Sequence, residues 1–399
     1  MNSSRAFRLT LTRRILEISG ALSLIAPVAA SACSSEVVFD DDEGTSSSSG
    51  NGGSTTTTTT GITTTTTTGV GGSTPWCCNC GQMQTVCIVG PEAGCPPSTE
   101  AMAYMQDTCL ETCLDLAWVE SGPFEQNGQC CYQVSVGCIG RPFVVDRVAT
   151  RAHAVFGAGS TWCDADLNPS VEDLSADVRA ALAAAWLDDA LLEHASVAAF
   201  ARFAMELMAV GAPSGLVEAA HEAALDEVRH ARFCFALARA YAGTDVKPAA
   251  FPFGGSVEVA ADLAAMAASS VIEGCVGETL AAAVAAEQLA RATDPAVCAV
   301  LAMIAKDEAR HAELAWRTVA WALRRGDETV RRAVIDAFDG AIAATRATET
   351  NTSGLEAHGR LDASAHRALV MVTLQEVVLP CARALLARDE MATARHDAA

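Results

Sequence analysis

Positive charge and aromatic side chains are what this 399-residue chain has least of. Lys and Arg number 27 against 48 Asp and Glu, a formal net charge of −21. A phosphate backbone would repel such a surface, which excludes nucleic acid as a partner. Aromatics make up 5% while hydrophobic residues reach 50%. Ala and Leu therefore dominate, and both favour helices. No C-x-x-C-H run occurs, which excludes covalent haem. No iron–sulfur cysteine pattern marks a built-in electron donor either. Apolar runs are short. The stretch 18–30 is too brief to span a membrane. The apolar segment 364–388 carries His366, Arg367, Gln375 and Glu376 and reads as a packing helix.

The first 32 residues have the composition of an export signal. Arg5, Arg8, Arg13 and Arg14 form a basic region, an apolar stretch follows from Ile18 to Ala30, and Ala30-Ser31-Ala32 precede Cys33. Two processing routes fit. Ala-x-Ala suits ordinary cleavage and secretion. Cleavage just before a cysteine suits a bacterial lipoprotein, periplasmic or on the outer membrane, with Cys33 acylated and anchoring the chain. Thr12-Arg13-Arg14-Ile15-Leu16 resembles a twin-arginine signal, a route that exports folded and metal-loaded proteins. From 33 to 76 an acidic run and long Ser, Gly and Thr tracts cannot bury a core, so a disordered tether is expected. The segment 77–170 is cysteine-rich and reads as a small disulfide module. Its cysteines, from Cys77 to Cys163, are odd in number, so one must be free or pair elsewhere.

From 171 to 390 the pattern is all-α. Helices are expected over roughly 175–210, 214–241, 256–291 and 295–325, followed by further helical segments near 328–346 and 364–388. Two copies of one motif lie in this region: Asp226-Glu227-Val228-Arg229-His230 and Asp307-Glu308-Ala309-Arg310-His311. Residues three apart share a helix face. Each motif can thus offer a carboxylate oxygen and an imidazole nitrogen to one point. Glu193 precedes Glu227 by 34 residues and Glu273 precedes Glu308 by 35. The midpoints fall at Val210–Ser214 and near Ala292–Pro295, both rich in helix-stopping residues. In two antiparallel hairpins, Glu193 would face Glu227 and Glu273 would face Glu308.

This arrangement resembles the ferritin-like, carboxylate-bridged di-iron proteins over roughly 175–345. The D-E-x-R-H form is similar to that of di-iron hydroxylases and desaturases. The resemblance implies a ferritin-like four-helix bundle with extra C-terminal helices, holding two iron ions, or manganese. Glu193 and Glu273 would be terminal ligands, Glu227 and Glu308 would bridge, and His230 and His311 would supply nitrogen. O₂ or peroxide would be the co-substrate of an oxidoreductase of ferroxidase, peroxidase or oxygenase type. A non-enzymatic iron- or manganese-binding envelope protein is the alternative.

Around these ligands, Asp226 and Asp307 are placed to accept the ring N–H of the histidine on the opposite motif, with Arg229 and Arg310 pairing those aspartates. Gly277, one turn past Glu273, would leave room for O₂ or substrate, whereas Val197 gives an apolar wall beside Glu193. Glu278, five residues past Glu273, should face away. Only three tyrosines occur, Tyr104, Tyr132 and Tyr241, which disfavours a stored tyrosyl radical. Cys234, Cys275 and Cys298 read as buried free thiols.

Overall fold

The computed structural model describes residues 3–18, 83–88, 94–97, 117–126, 128–136, 140–145, 148–157, 159–163, 166–254, 257–343 and 355–397. Cys33, the tether and the cleavage region fall outside them.

The chain is mainly helical. Helix α1 spans Ser3–Ile18. Strands β1 (Met83–Ile88), β2 (Ala117–Gln126) and β3 (Gln129–Val136) form an antiparallel sheet in the order β1-β3-β2. The Cys87–Cys131 and Cys95–Cys130 disulfides staple it. Short strands follow: β4 (Val144–Val145), β5 (Val148–Ala149) and β6 (Ala154–Phe156). Helices α2 (Ala176–Ala209) and α3 (Ser214–Ala242) come next, then β7 (Val246–Pro248), which pairs with β6. Helix α4 (Leu263–Arg291) and α5 (Pro295–Arg325) form the next pair, followed by α6 (Glu328–Ala343). Helix α7 begins as Ala363–Thr373, widens over Leu374–Val378 and continues as Leu379–Asp397.

Local chemistry sets the helix ends. Ser175 caps α2 by accepting from Val178 N, Asp262 caps α4 by accepting from Ala265 N, and Asp294 caps α5 with Pro295 directly after it. Gly243, at φ 70°, ends α3 in the left-handed conformation. Helix α4 starts at Leu263 rather than near 256, because Asp262 provides the first cap. The α2–α3 and α4–α5 turns occupy 210–213 and 292–294. Helices α2 and α3 pack along each other, as do α4 and α5, and α3 crosses to α5.

Two apolar clusters flank the middle of these helices. One gathers Phe200, Phe203, Leu207, Trp316 and Val319. The other gathers Trp186, Leu191, Phe235, Leu301 and Ile304. The polar groups of the candidate site lie between them.

Two regions outside the expected helical segments pack against the helical body. Arg13 and Arg14, assigned above to an export signal, have folded partners: Arg13 pairs with Glu17 at 3.1 Å and Arg14 with Glu313 at 3.0 Å. Leu11 and Ile15 of α1 are buried in the first cluster. Residues 140–163 also belong with the helices rather than with the disulfide sheet. Phe143 packs on Ala195 and Ala199, and Cys163 lies in the second cluster. Cys163 is a free thiol. Removing it from the count leaves ten cysteines from Cys77 to Cys138, an even number.

Candidate metal centre

The two D-E-x-R-H motifs meet face to face. His230 is fully buried and His311 is 2% exposed. Glu227 directs one oxygen at each histidine: Oε1 is 3.1 Å from His311 Nδ1 and Oε2 is 3.6 Å from His230 Nδ1. Glu308 mirrors it, with Oε1 at 3.3 Å from His230 Nδ1 and Oε2 at 3.6 Å from His311 Nδ1. Glu193 Oε2 lies 3.8 Å from His230 Nδ1. The side chains of Glu193, Glu227, His230 and Glu308 thus converge on one point, and those of Glu278, Glu308 and His311 on another.

Behind each imidazole stands an aspartate from the other motif. His230 Nε2 is 3.2 Å from Asp307 Oδ2, and His311 Nε2 is 3.1 Å from Asp226 Oδ2. When the ring is neutral, an acceptor there fixes the tautomer, placing the proton on Nε2 and the lone pair on Nδ1. Arg310 reaches Asp226 at 2.7 Å and Asp307 at 2.6 Å, while Arg229 pairs with Asp226 and lies 3.5 Å from Asp307. The guanidinium groups are half-exposed and close the aspartates off on the solvent side.

The electrostatics are those of crowded charge. Burial pushes the carboxyls of Glu193 and Glu278 well above the usual range, helped by Glu227 beside the first and Glu308 beside the second. Burial acts the same way on Glu227 and Glu308, but the two histidines overcome it and hold both carboxyls low. Burial would lower His230, yet Asp307 and the surrounding glutamates raise it well above normal; His311 is raised likewise by Glu308, Asp226 and Glu227.

The sequence reading and the geometry part at Glu273. Helix α4 is a π-helix over Ser270–Glu278. Five residues along an α-helix end about 140° off the starting face. Where hydrogen bonds run from i to i+5, five residues bring the chain round by about one turn. Glu278 therefore stands over Glu273 instead of facing away. Glu278 is 1% exposed and sits among Glu308 and His311. Glu273 lies outside both groups, its carboxylate 3.2 Å from Arg141 and 3.4 Å from Arg202.

Arg141 was not foreseen, since it precedes the helices. It is 2% exposed, lies 3.5 Å from Glu278 and covers the rings of Phe200 and Phe203. Ser196 Oγ donates to its carbonyl, and Gly140 N donates to Gly277 O. The α4 glycines make room for this strap. A Cβ on Gly277 would sit 2.4 Å from Gly140 O, and one on Gly274 would sit 2.3 Å from Ala315 Cβ of α5 and 2.7 Å from Arg141 Nη2. The space at Gly277 is filled by protein, not left open for O₂ or substrate. Those two glycines in an Ala-rich helix were the available signal. His194 packs edge-on against Trp162, and His221 is exposed. Neither joins the centre.

No protein-family model matches the chain, and comparisons with curated proteins and with solved structures find no match. The chemistry of the centre is therefore read from its atoms. His230 Nδ1, His311 Nδ1, Glu227 Oε2, Glu278 Oε1 and Glu308 Oε2 are buried without a hydrogen-bond partner. Such groups are costly unless something satisfies them. Lone pairs of two imidazoles and several carboxylates, aimed at two points, could hold metal ions.

Proposed function

We propose that the chain is a ferritin-like di-metal protein in which α2, α3, α4 and α5 form the four-helix bundle and α6 and α7 are C-terminal additions. The convergence of two orphaned Nδ1 atoms with shared carboxylates is the observation that carries this reading. One ion would take Glu193 and His230, the other Glu278 and His311, with Glu227 and Glu308 shared. One imidazole per ion and otherwise hard oxygens suit iron, with manganese as the close competitor. Four carboxylates and two divalent ions balance at −4 and +4, which removes the charge crowding of the empty site. Bound iron would supply O₂- or peroxide-dependent redox chemistry. The protein groups would bind and orient: Asp226 and Asp307 hold the histidine tautomers, Arg141 holds Glu278 in place, and the two apolar clusters exclude water.

Metal analysis of purified protein tests the reading first, followed by an optical spectrum after O₂ or peroxide and turnover with a reductant. About two ions per chain and sustained turnover support an oxidoreductase of ferroxidase, peroxidase or oxygenase type. Two ions without turnover leave a metal-binding protein. One ion, or zinc alone with no effect of Glu193→Ala, defeats the di-metal reading.

Export, with a lipid anchor at Cys33, is supported by the basic and apolar composition of 1–32, by the tether, and by the two disulfides, which belong to oxidising compartments. The packed α1 favours the opposite, a retained N-terminus. Intact mass of protein from a bacterial host decides: a chain beginning at acylated Cys33 supports anchoring, and one beginning at Met1 refutes it.

A further inference from the structure

Beside the metal centre lies a cavity of about 310 Å³ that reaches from Glu193, Glu278 and Glu308 to Trp186 and Arg360. That is at the small end of ligand sites. Trp186 precedes Glu193 by seven residues on α2, and Leu301 precedes Glu308 by seven on α5. Seven residues rise about 10 Å, so the cavity runs along the helices and is narrow. Leu192, Val284, Leu301 and Ile304 wall it.

Its two ends differ in chemistry. At the metal end the lining is carboxylate, with unsatisfied oxygens on Glu227, Glu278 and Glu308. At the far end the unsatisfied atoms are donors. Trp186 is 1% exposed and its indole N–H has no acceptor. The Arg360 guanidinium lies over that indole, 4.1 Å from a ring centroid. Its Nη2 forms an ion pair with Asp189 Oδ2 at 2.7 Å, but neither that nitrogen nor the buried Nε has an aligned hydrogen-bond acceptor. Asp189 thus balances the guanidinium charge and leaves its Nε and Nη2 donors to a ligand. Buried donors without acceptors are unfavourable, and a ligand carboxylate would satisfy both side chains.

Resting on the di-metal reading, we infer that this cavity binds the substrate, a slender apolar molecule ending in a carboxylate, with the carboxylate on Trp186 and Arg360 and the apolar body directed at the metals. Octanoate, 1-octanol and octylamine serve as probes, with binding followed by calorimetry on the full chain. Octanoate should bind at least about tenfold tighter than the other two. Trp186→Phe keeps the ring but removes the N–H, and should weaken octanoate several-fold while leaving octanol unchanged. Arg360→Gln alone would strand Asp189, so it is made together with Asp189→Asn; this variant should bind octanoate no better than octanol.

Metal content of each preparation is measured in parallel. A protein that holds two ions and shows no octanoate preference overturns this inference and leaves the di-metal reading standing. Tighter binding of octylamine overturns it too, since Asp189 would then be the anchor. A protein without two ions defeats the di-metal reading, and an octanoate preference in that protein would still assign the ligand class of the cavity.

Discussion

Glu193 and Glu278 hold matching places in the two halves of the centre, yet only Glu193 stands where an even helical count puts it. Helix α2 runs as a regular α-helix through its glutamate. Helix α4 passes its own through a π segment, Ser270–Glu278. The first half presents its carboxylate with helix geometry alone. The second spends a wide turn, two glycines and a strap carrying Arg141 to bring a carboxylate to the same level. The lesson is that a duplicated motif need not imply duplicated supports. The Glu-His pairs are equivalent by sequence and by contact, whereas their terminal carboxylates are delivered in different ways.

The largest test removes what the halves share. Glu227→Gln with Glu308→Gln should take bound metal from about two ions per chain to none that survive dialysis, and abolish any oxidase activity. Helicity should persist, but the metal-free form should unfold at a lower temperature, because His230 and His311 lose the carboxylates they hold ionised. A double mutant that keeps both ions at wild-type affinity refutes shared carboxylates.

A second test separates the halves. Glu278→Gln should cost one ion, or at least about tenfold in affinity for the second. Glu273→Gln should leave the ion count at two, since Glu273 only pairs with Arg141 and Arg202. The reverse pattern in metal titrations would restore Glu273 as the ligand and remove the π segment from the explanation.

The supports themselves come next. Gly277→Ala drives a methyl into Gly140 O, an overpacking that should cost about 1–3 kcal/mol. For a body of this size that lowers the thermal midpoint by roughly 2–4 °C per kcal/mol. Gly215 in α3 has nothing near its would-be Cβ. Gly215→Ala should hold or raise the midpoint, as helix propensity dictates. Equal effects at the two glycines would mean that the strap is not seated in α4.

Much of the helical body was legible in the sequence because apolar periodicity, caps and stops all speak at α-helical spacing. Ser175, Pro295 and Gly243 mark helix ends by local chemistry that tertiary packing does not overrule, whereas the Asp262 cap was passed over and its helix placed to begin near 256. The Asp226 and Asp307 positions were readable for the same reason, each being fixed by its motif on a regular helix. Glu278 was not, because counting at 3.6 residues per turn puts it on the wrong face, and only the glycines at 274 and 277 hint that the helix widens. Arg141 was hidden for a different reason. It comes from 132 residues before Glu273 in the chain, and no periodicity links a loop to a distant helix. The β6–β7 pairing was equally silent, since Val246–Pro248 is too short to show alternation.

The smallest expected effect is a slope of stability with pH in the metal-free protein. His230 and His311 have folded-state values raised well above 6.5, against the pull of burial, by the acids around them. A raised group contributes stability that is complete below its unfolded value and is lost as pH rises through the folded one. Glu193 and Glu278, raised chiefly by burial, act in the same sense: the folded chain binds their protons more tightly, and that advantage fades as pH rises. Glu227 and Glu308 are held low, and their contribution is lost only on strong acidification. Between pH 6 and 9 the metal-free midpoint should therefore fall. Metal-loaded protein should behave oppositely, because ions bind the deprotonated ligands and displace those protons. Glu278→Gln should flatten the metal-free slope from the π-helix side and Glu193→Gln from the regular side, with the histidines keeping the remainder. Thermal melts across that range, with and without chelator, make the comparison. A metal-free midpoint that stays level or climbs with pH would show that the acids and imidazoles do not share protons in the folded chain, and that the contacts around His230 and His311 are weaker than their geometry implies.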